Sequence, residues 1–385
     1  MNILVTGANG FIGKNLVATL KNIHSGKDKT NSHIKIKNIY ACDADTPADL
    51  FDAYCGNADF VFHLAGVNRP DNDADFSLNH TVTLSLLNKL KKHHNHCPVM
   101  YASSSHALLS ENHNHAYGSS KRLAEDLLFS HATETGAKVL VYRFPNVFGK
   151  WCKPNYNSVV ATFCYNMAHD LPICVENPNA VVELLYIDDL VHEMLAAIQG
   201  REHRTDNFCY VPVTQYITLG EIAKLLYCFK EFTKTLMVPQ QLEDSLPNKL
   251  LATYLSYLPS QDISVPLHTH EDHRGSFTEL LRPSYGNQLS VNIAEPGITK
   301  GVHWHHSKCE IFVVVSGEGI VRQRKIGTDQ VIEHNVSGNS MEAIFILPGY
   351  THCITNLSEN SKLIFLVWSN ETFDANRPDT YHEKV

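Results

Sequence analysis

No stretch of this 385-residue chain stays apolar long enough to cross a bilayer, which argues against a membrane-spanning helix. Positive charge is in short supply as well. There are 32 Lys and Arg against 40 Asp and Glu, a formal charge of −8, so no footprint exists for nucleic acid or an anionic membrane. C-x-x-C pairs and regular cysteine spacing are also missing. The 10 Cys are scattered, which argues against a disulfide scaffold and for reduced thiols packed as small hydrophobes. The segment Met1–Thr6 has neither the basic start nor the apolar run of a secretory signal, so a cytoplasmic protein is expected. Repeats and low-complexity tracts are absent too. What the chain does have is an apolar fraction of 43%, ordinary for globular cores, and a length that calls for two domains.

The N-terminal part alternates strands and helices. Asn2–Thr6 reads as a buried strand, Gly7-Ala8-Asn9-Gly10-Phe11-Ile12-Gly13 as a glycine turn, and Ile12, Leu16 and Leu20 as one face of a helix. Strand, glycine turn and helix in that order point to dinucleotide binding. The missing side chains let the pyrophosphate approach the backbone, and the helix start offers free N–H groups. A second strand is expected over Ile34–Cys42. Asp43 at its end, with Asp45 beyond, is placed to bond a ribose 2′-hydroxyl and to repel a 2′-phosphate. A third strand over Asp59–Leu64 runs into Ala65-Gly66, and a helix follows over Phe76–Lys92. Strand Val99–Ser103 then ends in the serine run Ser103–Ser105, where a parallel sheet presents ligand-binding groups. Further strands over Lys138–Arg143, Val181–Ile187 and Asn207–Val211 complete a doubly wound α/β sheet of the Rossmann kind to about residue 240.

Tyr117 and Lys121 are the pair most suggestive of chemistry. Four residues apart on a helix they share a face, and an ammonium beside a phenol favours the phenolate. The expectation is a Tyr117 pKa lowered toward neutrality, serving a ketone or an alcohol as acid and base.

Residues 241–264 read as a helical connector. From 265 to 385 short alternating strands with glycine and proline turns predict an all-β sandwich or barrel. Within it, His303 and His305 alternate along a strand, Glu310 follows, and His352 stands in Pro348-Gly349-Tyr350-Thr351-His352. Three imidazoles and a carboxylate suit zinc or another first-row divalent ion, whereas His306 points to the opposite face. With 23 His in the chain, chance clustering is the competing explanation.

Gly7, Gly10, Gly13, His63-Leu64-Ala65-Gly66, Ser105, Tyr117-x-x-x-Lys121 and Arg143-x-x-Asn146-x-x-Gly149 together resemble the extended short-chain dehydrogenase/reductases. The tail resembles a cupin, a jelly-roll barrel, through Gly297–Glu310. The whole resembles the two-domain capsular polysaccharide enzymes of the staphylococcal type. The resemblance implies that the cupin epimerises a UDP-4-keto-6-deoxy-N-acetylhexosamine at C3. The reductase then reduces C4 with NADPH, giving UDP-N-acetyl-6-deoxy-L-talosamine on the way to UDP-N-acetyl-L-fucosamine. It implies roles for Ser105, Tyr117 and Lys121 in catalysis, and for Gly7, Gly10, Phe11, Ile12, Gly13, Asp43, Leu64, Ala65 and Gly66 in holding the dinucleotide. Arg143 and Asn146 would shape the substrate pocket, and a homodimer or homotetramer is expected. In the cupin, zinc on His303, His305, Glu310 and His352 with Lys300 as base stands beside a metal-free reading with His303 as base. A non-catalytic cupin on a plain reductase or 4-epimerase is the alternative from another class.

Overall fold

The computed structural model describes residues 1–68, 76–112, 116–243, 245–283, 286–372, 374 and 376–385. In the N-terminal part the strands are β1 (Asn2–Thr6), β2 (Asn38–Cys42), β3 (Phe60–His63), β4 (Val99–Ser104), β5 (Val139–Phe144), β6 (Asn146–Phe148), β7 (Val181–Tyr186), β8 (Arg204–Thr205), β9 (Phe208–Cys209) and β10 (Gln215–Thr218). The helices are α1 (Phe11–His24), α2 (Ala48–Asn57), α3 (Ser77–Lys92), α4 (Ala116–Thr135), α5 (Val159–Ala168), α6 (Ile187–Ile198), α7 (Leu219–Thr235) and α8 (Ser245–Leu255). The main sheet runs β2-β1-β3-β4-β5-β9-β8, parallel except for the last pair, and β10-β7-β6 form a small second sheet.

Side-chain alternation explains why this sheet is covered on both faces. Ile3, Val5, Phe60, Phe62, Met100, Leu140 and Tyr142 pack with Leu16 and Leu20 of α1 and Leu190 and Met194 of α6. Their neighbours Leu4, Val61, Val99, Tyr101, Val139 and Val141 face the other way, onto Leu86 and Leu90 of α3 and Ala124 and Leu128 of α4. Strands buried on both faces read as continuous apolar runs, which is how they stood out in the sequence. The second strand is shorter than expected. It starts at Asn38 because Ile34 enters the core from a turn rather than from the ladder.

The chain order of the sheet reverses between β1 and β3, and ligands of such sheets bind at the carboxyl ends of the strands flanking that point. Those ends are Gly7 and the Leu64–Gly66 segment.

The C-terminal strands are β11 (Met237–Val238), β12 (Thr269–Asp272), β13 (Gly275–Pro283), β14 (Gln288–Ala294), β15 (Thr299–Trp304), β16 (Glu310–Ser316), β17 (Glu318–Lys325), β18 (Val331–Ser337), β19 (Ala343–Ile346), β20 (Tyr350–Asn356), β21 (Leu363–Ser369) and β22 (Tyr381–His382). One sheet is ordered β11-β13-β14-β21-β16-β19, with β12 also on β13. The other is β18-β17-β20-β15-β22. Phe312, Val314, Ile344 and Phe365 of the first meet Val321, Val336 and Ile354 of the second in one core, the mostly antiparallel arrangement of a jelly roll.

The division of the chain differs from the expected connector at 241–264. One compact unit comprises Met1–Leu226 and Ser245–Leu258, the other Tyr227–Asp244 and Pro259–Val385. The reason is apolar burial: Leu246, Leu250, Leu251 and Tyr254 make α8 a core helix of the first unit.

Candidate active sites

The chain leaves β1 through Gly7, whose φ of 69° is left-handed. A Cβ on Gly7 would lie 2.7 Å from the Ala65 nitrogen, and one on Gly13 would lie 2.1 Å from the Gly7 carbonyl oxygen. The loop, the first turn of α1 and the segment after β3 therefore close on one another only with glycine in place. Gly10 donates its N–H to the Gly7 carbonyl at 3.0 Å and starts α1 with no side chain capping it. Phe11 and Ile12 sit half-buried in that first turn, packed on the core. Bare backbone at a helix start fits a pyrophosphate. A Gly13→Ala substitution is expected to cost about 3 kcal/mol by overpacking and to weaken dinucleotide binding. Thermal melting with and without cofactor checks this, and an unshifted melting temperature would refute it.

Asp43 follows β2 and accepts the Asn9 N–H at 2.8 Å on one oxygen and the Ala44 N–H at 2.9 Å on the other. Its carboxylate thus braces the glycine loop. His63, fully buried at the end of β3, bridges Thr6 and Thr83 at 2.8 and 2.9 Å. Thr83 spends its own proton on the Asn79 carbonyl, so His63 donates through Nε2 and accepts from Thr6. Burial, then the nearby Lys121 charge, pull its pKa down to about 3.

At the end of β4 the Tyr–Lys helix α4 docks. Lys121 is buried and donates to the Ala102 carbonyl at 2.9 Å, with its ammonium 5.1 Å from the centre of the Tyr101 ring and 5.9 Å from that of Tyr117. Burial draws its pKa down to about 8, against the opposing pull of Glu125. The Tyr117 phenol is pushed up to about 12 by burial, with a hydrogen bond to Ser104 opposing. The expected drop toward neutrality is therefore corrected. Desolvation outweighs the Ser104 hydrogen bond, the contact that favours the phenolate. The serine also changes. Ser104, the last residue of β4, meets the phenol, whereas Ser105 has already turned into the 3₁₀ segment Ser105–Asn112.

One further expectation is revised. Arg143 is not free for substrate: it clasps Glu125 through Nε at 2.9 Å and a terminal nitrogen at 2.6 Å, and lies 3.8 Å from the Phe208 ring centre. Asn146 is exposed and donates to the Glu183 carbonyl at 3.3 Å. A residue the sequence gave no reason to single out is Asn79 on α3. Its amide pairs both ways with the Val67 backbone and donates to Ser120 Oγ on α4 at 3.0 Å. It thereby fixes the segment after β3 to the Tyr–Lys helix. Arg69 and Pro70, a few residues beyond Gly66 in the chain, lie outside the described residues.

In the second unit His303, His305, Glu310 and His352 bring one ligand atom each to within 4.8 Å of one another. His303 and His352 are direct cross-strand partners on β15 and β20, and Glu310 enters from β16 in the opposite sheet. A bulge at Val302, held at a φ of 70°, shifts the register just before His303. Glu310 lies 3.4 Å from His352 and 3.7 Å from His305 through one oxygen, and 2.9 Å from Lys308 through the other. Burial acts to raise its pKa, but the two imidazoles and the Lys308 ammonium hold it well below the usual range. His303 is pulled down to about 4 by burial and then by His352 and His305, so it is neutral and able to coordinate at pH 7.

His305 Nε2 and His352 Nε2 are buried with no hydrogen-bond partner, which is costly unless an ion takes both lone pairs. The His305 Nδ1 points to the Asp379 carbonyl, leaving Nε2 for a metal. The donor set fits a divalent cation. His306 is exposed against Trp304 and Tyr381, away from the cluster. Lys300 is half-buried, donates to the Ser276 carbonyl of β13 at 2.9 Å, and has its pKa lowered by burial.

Two sequence profiles cover most of the chain: that of the NAD dependent epimerase/dehydratase family over residues 3–208 and that of the polysaccharide biosynthesis C-terminal domain over residues 270–381. The chain belongs to the NAD dependent epimerase/dehydratase family. Along its whole length it is similar to CapF, the capsular polysaccharide assembling protein of Staphylococcus aureus, with 44% identity, full coverage of both chains and a TM-score of 0.90. It is also 37% identical to the UDP-2-acetamido-2,6-beta-L-arabino-hexul-4-ose reductase of Pseudomonas aeruginosa, over 99% of this chain and 98% of that one. The fold of the first part recurs in a UDP-glucose 4-epimerase of Thermotoga maritima, with 22% identity, a TM-score of 0.51 and coverage of 67% of this chain and 98% of that one. The ten cysteines are free thiols, and no helix among the described residues is long and apolar enough to span a membrane.

Proposed function

We propose that this chain is a two-site nucleotide-sugar enzyme. Its second unit epimerises a UDP-4-keto-6-deoxy-N-acetylhexosamine at C3, and its first unit then reduces C4, giving UDP-N-acetyl-6-deoxy-L-talosamine on the route to UDP-N-acetyl-L-fucosamine. The observation that carries the reading is the coexistence of a Ser104–Tyr117–Lys121 group with a largely buried three-His, one-carboxylate cluster in a chain similar along its full length to a keto-sugar reductase. The order of steps follows from acidity. The C3 proton is labile only while C4 is a ketone, since the carbanion charge must spread onto the carbonyl oxygen.

In the first unit, NADPH when bound would supply the hydride for C4. Tyr117 gives its proton to the forming alkoxide, and a phenol whose pKa is near 12 arrives at neutral pH carrying that proton. Ser104 orients the oxygen and Lys121 holds the nicotinamide ribose. Asp43 accepts an N–H on each carboxylate oxygen and braces the glycine loop, and each oxygen keeps a lone pair for a ribose hydroxyl. NADPH is the proposed cofactor, with NADH the comparison in the test below. In the second unit, His303, His305, Glu310 and His352 would hold zinc, which as a Lewis acid polarises the ketone. Lys300, with its amine made less basic by burial, is the proposed acceptor of the C3 proton. A homodimer or homotetramer in the cytoplasm goes with this reading.

The test offers the keto-sugar in D₂O without nicotinamide, then with NADPH or NADH. Deuterium uptake at C3 before any cofactor, followed by cofactor oxidation, is the expected result. Cofactor oxidation with no prior uptake would mean a plain reductase carrying a structural cupin.

The C-terminal segment bears on the metal. Asp379 accepts N–H groups from His306, Ser307 and Lys308, and β22 pairs with β15 at His303 and Trp304. Removing residues 379–385 is expected to weaken zinc binding by about 10–100-fold, read by competition with a chromogenic chelator. Unchanged affinity would show that the segment does not support the ligands.

A further inference from the structure

Three consecutive residues of β4 hold three successive turns of α4. Ser104 meets Tyr117, the Ala102 carbonyl takes Lys121, and Ser103 Oγ donates to Glu125 Oε1 at 2.5 Å. Tyr117, Lys121 and Glu125 stand four residues apart in turn, so they form one stripe on the helix. Two members of the stripe have a part in the proposed chemistry. The third, Glu125, has had none, although its side chain is 0% exposed.

Glu125 carries a full complement of charged and polar partners. Arg143 on β5 forks onto both carboxylate oxygens, and Ser103 adds a third hydrogen bond. A buried ion pair of this kind gives little net stability over apolar side chains of the same volume. Its charge therefore calls for another use. Around Lys121 stand Tyr101 and the Ala102 carbonyl from β4, His63 from β3, and Tyr117 and Glu125 from α4. Above it, a Cβ on Gly66 would come within 3.1 Å of the ammonium and 3.0 Å of Asn79 Oδ1. His63 is neutral and both tyrosines keep their protons at pH 7. Among the described residues, Glu125 is the carboxylate that acts on Lys121.

We propose that Glu125 is a positioning residue of the reductase site: it locks α4 to β4 so that Tyr117 meets Ser104, and it supplies the counter-charge that keeps Lys121 an ammonium. This rests on the assignment of Tyr117 and Lys121 to ketone reduction. Arg143 offsets part of that counter-charge, so the two residues tune Lys121 in opposite directions.

The experiment reads Lys121 directly, through the ε-carbon signal of protein labelled with ¹³C at lysine Cε and assigned by its loss in Lys121→Met. The pH profile of ketone reduction is measured alongside. Lys121 works as the ammonium, so activity falls as pH rises through its pKa. In Glu125→Gln the titration midpoint and the alkaline limb of kcat/KM should both move down by about 1 pH unit or more. Arg143→Met, which leaves the carboxylate unopposed, should move both up, and Glu125→Asp should restore the wild-type profile.

A folded Glu125→Gln protein with an unmoved Lys121 midpoint overturns the proposal, as does a downward shift in Arg143→Met. Should Glu125→Gln fail to fold, the sign of the Arg143→Met shift decides. A wild-type chain that reduces no ketone sinks the reductase assignment instead, and the ¹³C midpoints still decide the role of Glu125.

Discussion

Tyr117→Phe is expected to slow C4 reduction by roughly 10²–10⁴-fold, about 3–5 kcal/mol of barrier, while leaving dinucleotide affinity and C3 exchange unchanged. The substitution removes one oxygen and keeps the ring. The ring contacts with Phe76 and His106, at 5.7 and 5.9 Å between centroids, therefore persist, and α4 stays docked. What is lost is the proton that the alkoxide must receive. Burial holds that proton on the phenol to about pH 12, so the wild-type group is a loaded acid across the physiological range. Lys121, tied to the Ala102 carbonyl, keeps its place in the variant and with it the ribose contact proposed above. Cofactor absorbance with the keto-sugar, and fluorescence titration of NADPH, separate the two effects. A Phe variant reducing at more than about a tenth of the wild-type rate would place the proton donor elsewhere.

His352→Ala should abolish stoichiometric divalent metal and cut deuterium uptake at C3 by at least about 100-fold, without touching the reductase site. His352 is 0% exposed, and its ring lies 4.6 Å from that of His303 and 5.3 Å from that of His305. Removing it leaves three of the four converging donors, His303, His305 and Glu310, one short of a closed four-ligand zinc site. Reduction of a substrate already epimerised at C3 should proceed at the wild-type rate, because that chemistry is assigned to Tyr117 and Lys121 in the proposed function. Elemental analysis, proton exchange followed by NMR, and cofactor oxidation give three independent readings. A metal-free variant that still exchanged the C3 proton at full rate would return the cupin to the reading in which His303 acts alone as base.

Much of this architecture was legible in the chain because it is written in short periods. Asn2–Thr6 with Gly7, Gly10 and Gly13 announces a strand, a turn and a helix within a dozen residues. Tyr117 and Lys121 announce a helix stripe by their spacing alone. The alternation from β13 to β21 marks an all-β unit, and the His303-Trp304-His305 run flags its chemistry. His352 was harder, since its link to His303 is a ladder contact across 49 residues (352 less 303) and passes through a bulge at Val302. A bulge costs one residue of register, and no local pattern reveals it.

The sequence by itself determined a glycine turn between strand and helix, a Tyr–Lys helix stripe and the His303–His305 alternation, because each is fixed by neighbours in the chain. Only the tertiary structure decided how they are used. It put Ser104 rather than Ser105 against the phenol, turned Arg143 from the substrate to Glu125, and raised the Tyr117 pKa where the sequence predicted a fall. It also moved the helix 245–255 into the first unit. The common reason is desolvation and hydrogen bonding between distant segments. Which hydroxyl reaches a phenol, and what burial costs a charge, depend on how β4 and β5 register against α4.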